Sequence, residues 1–408
     1  MNDQNFVKPQ YDSYCLTNIP ATILSALTEN QTGTQLPADC LPTKQQYKHT
    51  ILFLIDGFGW NLIEKYFAKN ALLKKIKKNG KITKLTSQFP STTASNITTI
   101  HTGIPSAESG LYEWFIYEPE IDTIITPILY SFGNNQQRDN LKTTALVPEK
   151  LYPTQTFYEK LAQYQIPSFA FHPKELLDSV YSDNTLRGAQ VISYRTFSEA
   201  CINLNNHRQQ NPQKSHYILY YDRIDTISHI YGPNSPQAQA EIENFLFILE
   251  NIFFKTAQNS NTLFLLTADH GQIEVDPQKT LYLNVKYPQL EKWMKKNREG
   301  HLLVPAGSCR DFFLFMKEEN LEEAYSFLSK ELTEIARVIK TEKLLKEGYF
   351  GPNPSSKLLN RLGNLVILPN PGEAVWWFEK GKFEQTLYGH HGGLTKEEIE
   401  IPLLALAI

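Results

Sequence analysis

The sequence predicts an α/β protein, a mostly parallel central sheet flanked by helices, with an inserted α+β cap. Three observations predict it. Continuous apolar runs of strand length recur along the chain, helical patterns fall between them, and three of the runs end in acidic residues. Strands buried on both faces read as unbroken apolar runs, and strands alternating with helices build parallel sheets.

Taken in order, residues 1–45 are polar and turn-rich. Pro20, Pro37 and Pro42 interrupt any long element there, so the stretch reads as an N-terminal extension packed on the core. The core opens with Thr50-Ile51-Leu52-Phe53-Leu54-Ile55, a buried strand ended by Asp56-Gly57. In the lysine-rich region that follows, Leu62, Ile63, Tyr66, Phe67, Leu72, Leu73 and Ile76 supply an apolar face. The lysines of 69–84 are its solvated side. Phe89-Pro90-Ser91-Thr92-Thr93 reads as a loop entering a short helix that Gly103 ends.

Further strand runs stand at 168–171, 217–221 and 263–267. Between the last two, Ile242, Phe245, Leu246, Leu249, Ile252 and Phe253 keep one helical stripe. Residues 276–385 differ in pattern, with strand candidates at 311–315, 365–368 and 374–378 and a helix expected over 321–342. They read as the cap, and 386–408 as the return to the core, with 401–408 a strand. The core is then 46–275 together with 386–408.

Length and composition fit this plan. The 408 residues, 41 % hydrophobic and 20 % charged, are enough for one large domain carrying an insertion. Forty basic against forty-three acidic side chains leave no positive excess, so a nucleic-acid polymer is not an expected partner. Cys15, Cys40, Cys201 and Cys309 lie far apart with no CxxC, which indicates neither a disulfide framework nor a zinc finger. No apolar run approaches the roughly 18 residues of a membrane span. The start MNDQNFVKPQ lacks the basic and apolar regions of a secretory signal. A cytoplasmic location is the expectation, with export by a signal-independent route left open.

A parallel sheet binds its ligands at the carboxyl ends of its strands. Asp56 follows the first run. Asp225 and His229 follow the 217–221 run, Asp269-His270-Gly271 closes the 263–267 run, and Gly389-His390-His391-Gly392-Gly393 comes late in the chain. Alone, an Asp after a strand is usually a turn or capping residue. The ordered set matters more: it offers oxygen and nitrogen donors with no thiolate, which suits one or two zinc ions, with manganese second. Thr93 at a helix start has an ordinary capping use. It also has a chemical one, because free helix N–H groups and a cation would stabilise an alkoxide and a phosphate.

These segments together resemble the alkaline phosphatase superfamily, in its type I phosphodiesterase/nucleotide pyrophosphatase branch. The matching stretches are IDGFG (55–59), FPSTTASNITTIHTG (89–103), DRIDTISHIYGP (222–233), TADHG (267–271) and GHHGGL (389–394). The resemblance implies an alkaline phosphatase-like fold, a small-molecule phosphate ester as substrate and two divalent metal ions. Asp56, Thr93, Asp269 and His270 would surround one metal, with Thr93 the nucleophile that carries a covalent phosphoryl group. Asp225, His229 and His391 would hold the other. His391 is chosen over His390 because Gly follows it, and Thr93 over Thr92 because it stands three residues before Asn96. Where the family carries a phosphate-binding Asn, the count reaches Trp114, beside Glu113. Asn96, Glu113 and Trp114 are therefore the substrate-contact candidates, and this departure points to another donor or another substrate.

The implied reaction is hydrolysis of a phosphodiester or pyrophosphate bond. Within the same superfamily a phosphomonoesterase, a phosphonate hydrolase or a phosphomutase is the alternative. The non-enzyme alternative is a catalytically silent binding or scaffold protein. A sulfatase lacks its nucleophile context here, and an esterase lacks any G-x-S-x-G elbow.

Overall fold

Every residue of β1 (His49–Ile55) is buried, as its unbroken apolar run requires, and it lies at the centre of a seven-stranded sheet. The computed structural model describes residues 5–28, 30–42, 46–257 and 261–408; residues 1–4, 29 and 43–45 of the expected extension lie outside them. The other strands are β2 (Lys81–Thr86), β3 (Ser168–Pro173), β4 (Ala189–Tyr194), β5 (Ser215–Tyr221), β6 (Thr262–Thr267) and β7 (Glu400–Ala407). Their order is β2-β7-β6-β1-β5-β3-β4, and β7 alone runs antiparallel to its neighbours. The sheet is the mostly parallel one expected.

Register then sets the position of the site. Ile55 of β1 lies opposite Tyr221 of β5, and Leu54 lies opposite Thr267 of β6. The three central strands therefore end nearly level, and the residues that follow them emerge at one edge.

Helices cover the sheet. They include α1 (Ile19–Leu27), α2 (Trp60–Phe67), α3 (Ala71–Asn79), α4 (Thr93–Thr102), α5 (Phe197–Gln210), α6 (Arg223–Tyr231) and α7 (Pro236–Ile248). Leu62, Ile63, Tyr66, Leu72, Leu73 and Ile76 are buried on α2 and α3, while Lys74, Lys75, Lys77 and Lys78 are exposed. The stripe of α7 continues through one π turn, Leu249–Phe253, which keeps Leu249 and Phe253 in the core.

Two local readings are corrected. Lys81–Thr86 is not part of a helical lysine face but the edge strand β2, paired only with β7 in the sheet order. Lys84 is exposed and Lys81 half-buried, and the end of the edge at Thr86 is bridged by Cys15 of the N-terminal segment. The helix expected over 321–342 ends at Glu331, and Ala336–Lys340 is a strand. There Val338 and Ile339 pair with Ile367 and Val366 of Leu365–Pro369. A ladder with a buried partner outweighs the helix tendency of the flanking Glu and Lys residues.

Leu365–Pro369 is the middle strand of a small antiparallel sheet, with Phe312–Leu314 on its other side. The apolar cluster on this sheet also takes in Tyr112, Ile116, Tyr130 and Leu151. A separate cluster packs α1, α2, α3, α5 and α7 on the central sheet. Among the described residues no helix is long and apolar enough to cross a membrane.

Candidate metal centre

Asp56 comes directly after β1, Asp225 and His229 lie one turn apart on α6 beyond β5, and Asp269 and His270 follow β6. The first turn needs its glycine. Gly57 has φ +71°, and a Cβ there would stand 3.0 Å from the Cα of Asp225.

The loop before α4 is tied to two of these segments. Ser87 Oγ donates to the carbonyl of Asp269 (2.7 Å), and Ser91 Oγ donates to that of Gly393 (2.7 Å). Thr92 is the extended residue before the helix and Thr93 its first residue, so the Thr93 hydroxyl sits among the free N–H groups of the N-terminus. Gly103, at φ +73°, ends the helix as expected.

Thr93 Oγ1 lies 2.9 Å from His270 Nε2, which is also 3.3 Å from Asp56 Oδ1 and 3.4 Å from Asp269 Oδ2. His229 Nε2 is 3.3 Å from Asp225 Oδ2. The His391 ring stacks on that of His270 at 3.6 Å and lies 5.1 Å from that of His229. Donor atoms of Asp56, Asp269 and His270 fall within 4.8 Å of one another, and so do those of Asp225, His270 and His391. All seven residues meet in one place.

The imidazoles are oriented alike. The Nδ1 of His229 faces the carbonyl of Gly389 (2.6 Å), that of His270 the carbonyl of Gly271 (3.0 Å), and that of His391 the carbonyl of Ser91 (3.1 Å). Each ring thus donates from Nδ1 and turns an Nε2 lone pair toward the cluster. His390 differs: its Nε2 is engaged by the carbonyl of Leu387 and its Nδ1 lies 3.3 Å from Cys309 Sγ.

The carboxylates share a pattern too. Asp269 Oδ1 accepts from the backbone N–H groups of Gly57 and His270, Asp56 Oδ2 from the Tyr220 hydroxyl, and Asp225 Oδ1 from the Gln272 amide. The second oxygens of Asp56 and Asp269 are buried with no partner. Burial raises the pKa of all three, and for Asp56 the neighbouring carboxylates add to this. Burial also lowers those of His270 and His391, so neither ring readily takes a proton. Orphaned carboxylate oxygens facing neutral imidazoles fit a divalent cation, since buried charge of one sign needs a partner.

A cavity of about 570 Å³ opens on the cluster. Phe115 makes an aromatic wall with Trp376 and Phe383, their rings 6.1 and 5.8 Å from its own, and Trp114, Ile97, Leu129, Leu176, Tyr181 and Leu186 also line the cavity. Tyr112 instead packs edge-on against Phe313 in the core. Cys309 reaches the wall but is 1 % exposed, and burial pushes its thiol pKa up.

Of the substrate-contact candidates, Trp114 and Glu113 line this cavity. Asn96 does not: it is fully buried, and its amide donates to the carbonyl of Thr92 (2.9 Å), bracing the loop. Glu113 Oε2 accepts from the Trp114 N–H, while its Oε1 is unpartnered and lies near Gly392. Burial pushes its pKa up to about 8, and burial and Glu113 together raise that of Asp311 beside it.

Sequence reasoning missed Asp311, Tyr220 and Gln272. Tyr220 lies within an apolar strand run, whose only signal is a change from aliphatic residues to two tyrosines. Gln272 signalled itself only as a polar residue between a glycine turn and buried Ile273.

An α/β sheet with an Asp/His cluster at its carboxyl edge defines a candidate divalent-metal hydrolase of phosphoric esters. The chain belongs to the type I phosphodiesterase/nucleotide pyrophosphatase family, whose sequence model matches residues 50–394. Among curated proteins no sequence matches. Murine ectonucleotide pyrophosphatase/phosphodiesterase 5 has a similar structure, with a TM-score of 0.63 at 17 % identity over 88 % of this chain and 87 % of that one. The figures are the same for its inactive threonine-to-alanine form in complex with AMP. Phosphonoacetate hydrolase from Sinorhizobium meliloti 1021, in complex with phosphonoformate, has a TM-score of 0.60 at 16 % identity over 87 % of this chain and 89 % of that one. At these identities the likeness is one of fold.

Proposed function

We propose that the chain hydrolyses a phosphodiester or pyrophosphate bond of a small molecule through a phosphoryl group carried on Thr93. The observation that carries this reading is the Thr93 hydroxyl at a helix N-terminus, 2.9 Å from His270 Nε2 and beside carboxylate oxygens with no partner. Asp56, Thr93, Asp269 and His270 would hold one divalent cation and Asp225, His229 and His391 a second, with zinc the first choice for imidazole and carboxylate donors. Such cations supply Lewis acidity, lowering the pKa of a hydroxyl or water and offsetting charge on the phosphoryl oxygens.

The chain's own part follows. Thr93 Oγ attacks phosphorus in line as its proton passes to solvent, and the P–O bond opposite breaks, the leaving oxygen taking a proton from solvent. Water then attacks the same phosphorus, frees Thr93 and releases the second product. The N–H groups at the start of α4 face the phosphoryl oxygens. The aromatic wall at Phe115 receives the esterified group. The inactive threonine-to-alanine form of the murine neighbour supports the role given to Thr93. The division into an extension (1–45), a core (46–275 with 386–408) and a cap (276–385) belongs to this proposal, supported by the separate antiparallel sheet within 312–369.

Phosphonate hydrolysis is the second reading, favoured by the phosphonoacetate hydrolase neighbour and by Glu113 and Trp114 standing where an amide is expected. The test is a panel of bis-aryl phosphate, mono-aryl phosphate, dinucleotide and phosphonate with zinc and with manganese, run on the wild type and Thr93→Ala. Faster turnover of the diester or the dinucleotide than of the monoester and the phosphonate, lost in Thr93→Ala while metal content is kept, is expected. Diester turnover by Thr93→Ala at the wild-type rate would overturn the assignment.

A further inference from the structure

Of the three aspartates at the centre, one is held by the backbone and two by side chains. Asp269 takes its bonds from the N–H groups of Gly57 and His270, which any sequence with this fold supplies. Asp56 depends on the Tyr220 hydroxyl and Asp225 on the Gln272 amide. In each case one oxygen is tied and the other is left to the cluster. Asp56 Oδ1 then stands 3.3 Å from His270 Nε2, and Asp225 Oδ2 stands 3.3 Å from His229 Nε2.

The two donors are themselves fixed. Tyr220 is 5 % exposed, the second-to-last residue of β5, with its ring 5.4 Å from that of His172. Gln272 is 3 % exposed and also donates to the Asp225 carbonyl at 3.2 Å, so it grips that residue twice. A phenol can satisfy only one oxygen of Asp56, and the two donors contact different aspartates. Their side-chain bonds into the cluster go to carboxylates and to the Asp225 carbonyl, not to His229, His270 or His391.

We infer that Tyr220 and Gln272 are positioning residues that set the affinities of the two cation sites separately, Tyr220 through Asp56 and Gln272 through Asp225. The inference rests on the two-cation reading above. A ligand whose free oxygen is already aimed loses little rotational freedom on binding. Outer partners of this kind are typically worth about 10- to 100-fold in metal affinity.

The test is competitive zinc titration of the full chain against a chromophoric chelator, in the wild type, Tyr220→Phe and Gln272→Met. Each change is repeated on Asp56→Asn and Asp225→Asn, so that one site can be read at a time. Tyr220→Phe is expected to weaken the Asp56 site about 10- to 100-fold and leave the Asp225 site unchanged; Gln272→Met is expected to do the reverse. Melting of the metal-free protein separates positioning from structure. Both sites weakening together with a lower metal-free melting temperature would mean a structural role and overturn the inference. A wild type that takes up two zinc ions while neither variant shifts either site would overturn it too, leaving the proposed function in place. A wild type that takes up fewer than two would overturn both.

Discussion

His270 Nε2 lies closer to the hydroxyl of Thr93 (2.9 Å) than to either carboxylate that flanks it, at 3.3 and 3.4 Å. The hydroxyl is thus inside the donor cluster and not at its rim. Thr93→Val keeps the shape of the side chain and removes the oxygen, and turnover should fall by more than about 10³-fold. Thr93→Ser keeps the oxygen and should retain turnover within about tenfold of the wild type, since only a methyl group is lost. Steady-state rates of the two variants, with circular dichroism to confirm folding, check this. Thr93→Val turning over at the wild-type rate would show that the hydroxyl is dispensable.

The His391 loop is held by a buried ion pair. Arg310 and Glu398 are both fully buried, with Nη2–Oε2 and Nε–Oε1 each at 3.0 Å, and Glu398 also accepts from the Gly393 N–H (3.0 Å) and the Thr395 hydroxyl (2.7 Å). Removing one partner strands a charge in the interior, which costs about 3–5 kcal/mol. Arg310→Met should therefore destabilise the protein by that amount in urea unfolding, and Arg310→Met with Glu398→Gln by less. An Arg310→Met variant as stable as the wild type would show that the pair is dispensable.

What could be read in the sequence was what sits at strand ends. Asp56, Asp225 and Asp269 were legible because an apolar run stops there and a parallel sheet puts ligands there. The helix at Thr93 was legible through Pro90 and Gly103. The Ala336–Lys340 strand was not, because its neighbours favour helix and its partner at 365–369 is remote in sequence. The pairing of Glu113 with Asp311 was hidden for the same reason, since burial beside a distant carboxyl leaves no local pattern. Tyr220 and Gln272 act only through other residues, so nothing in their own surroundings along the chain marks them.

Glu113 makes the folded protein less stable as pH rises. Its folded pKa is about 8, raised from an ordinary 4.5 by burial. The folded state then holds a proton that the unfolded chain has lost, so this contribution is complete below about pH 4.5 and is lost as pH rises toward 8. The loss is on the order of a few kcal/mol. In the zinc-loaded protein, Glu113→Gln cannot ionise, and it should flatten the fall in stability between pH 5 and pH 8 measured in urea. An unchanged slope would place the titrating group elsewhere, with Asp311 the next to substitute.

Chelation should have an effect that grows with pH. In the metal-free protein Asp56, Asp225 and Asp269 have raised pKa values. Their contribution to stability is present below about pH 4 and is lost as pH climbs through the folded values, because three buried carboxylates must then ionise side by side. A bound cation needs those same ionised oxygens, so it relieves the repulsion, while at low pH protons compete for them and for the imidazoles. The melting temperature of zinc-loaded protein should thus exceed that of chelated protein by more at pH 8 than at pH 5, by scanning calorimetry at fixed free zinc. Asp225→Asn removes one carboxylate from the cluster. It should raise the melting temperature of the chelated protein at pH 8 while reducing the gain from zinc, and a variant that loses stability in both states would show that Asp225 serves the fold more than the cation.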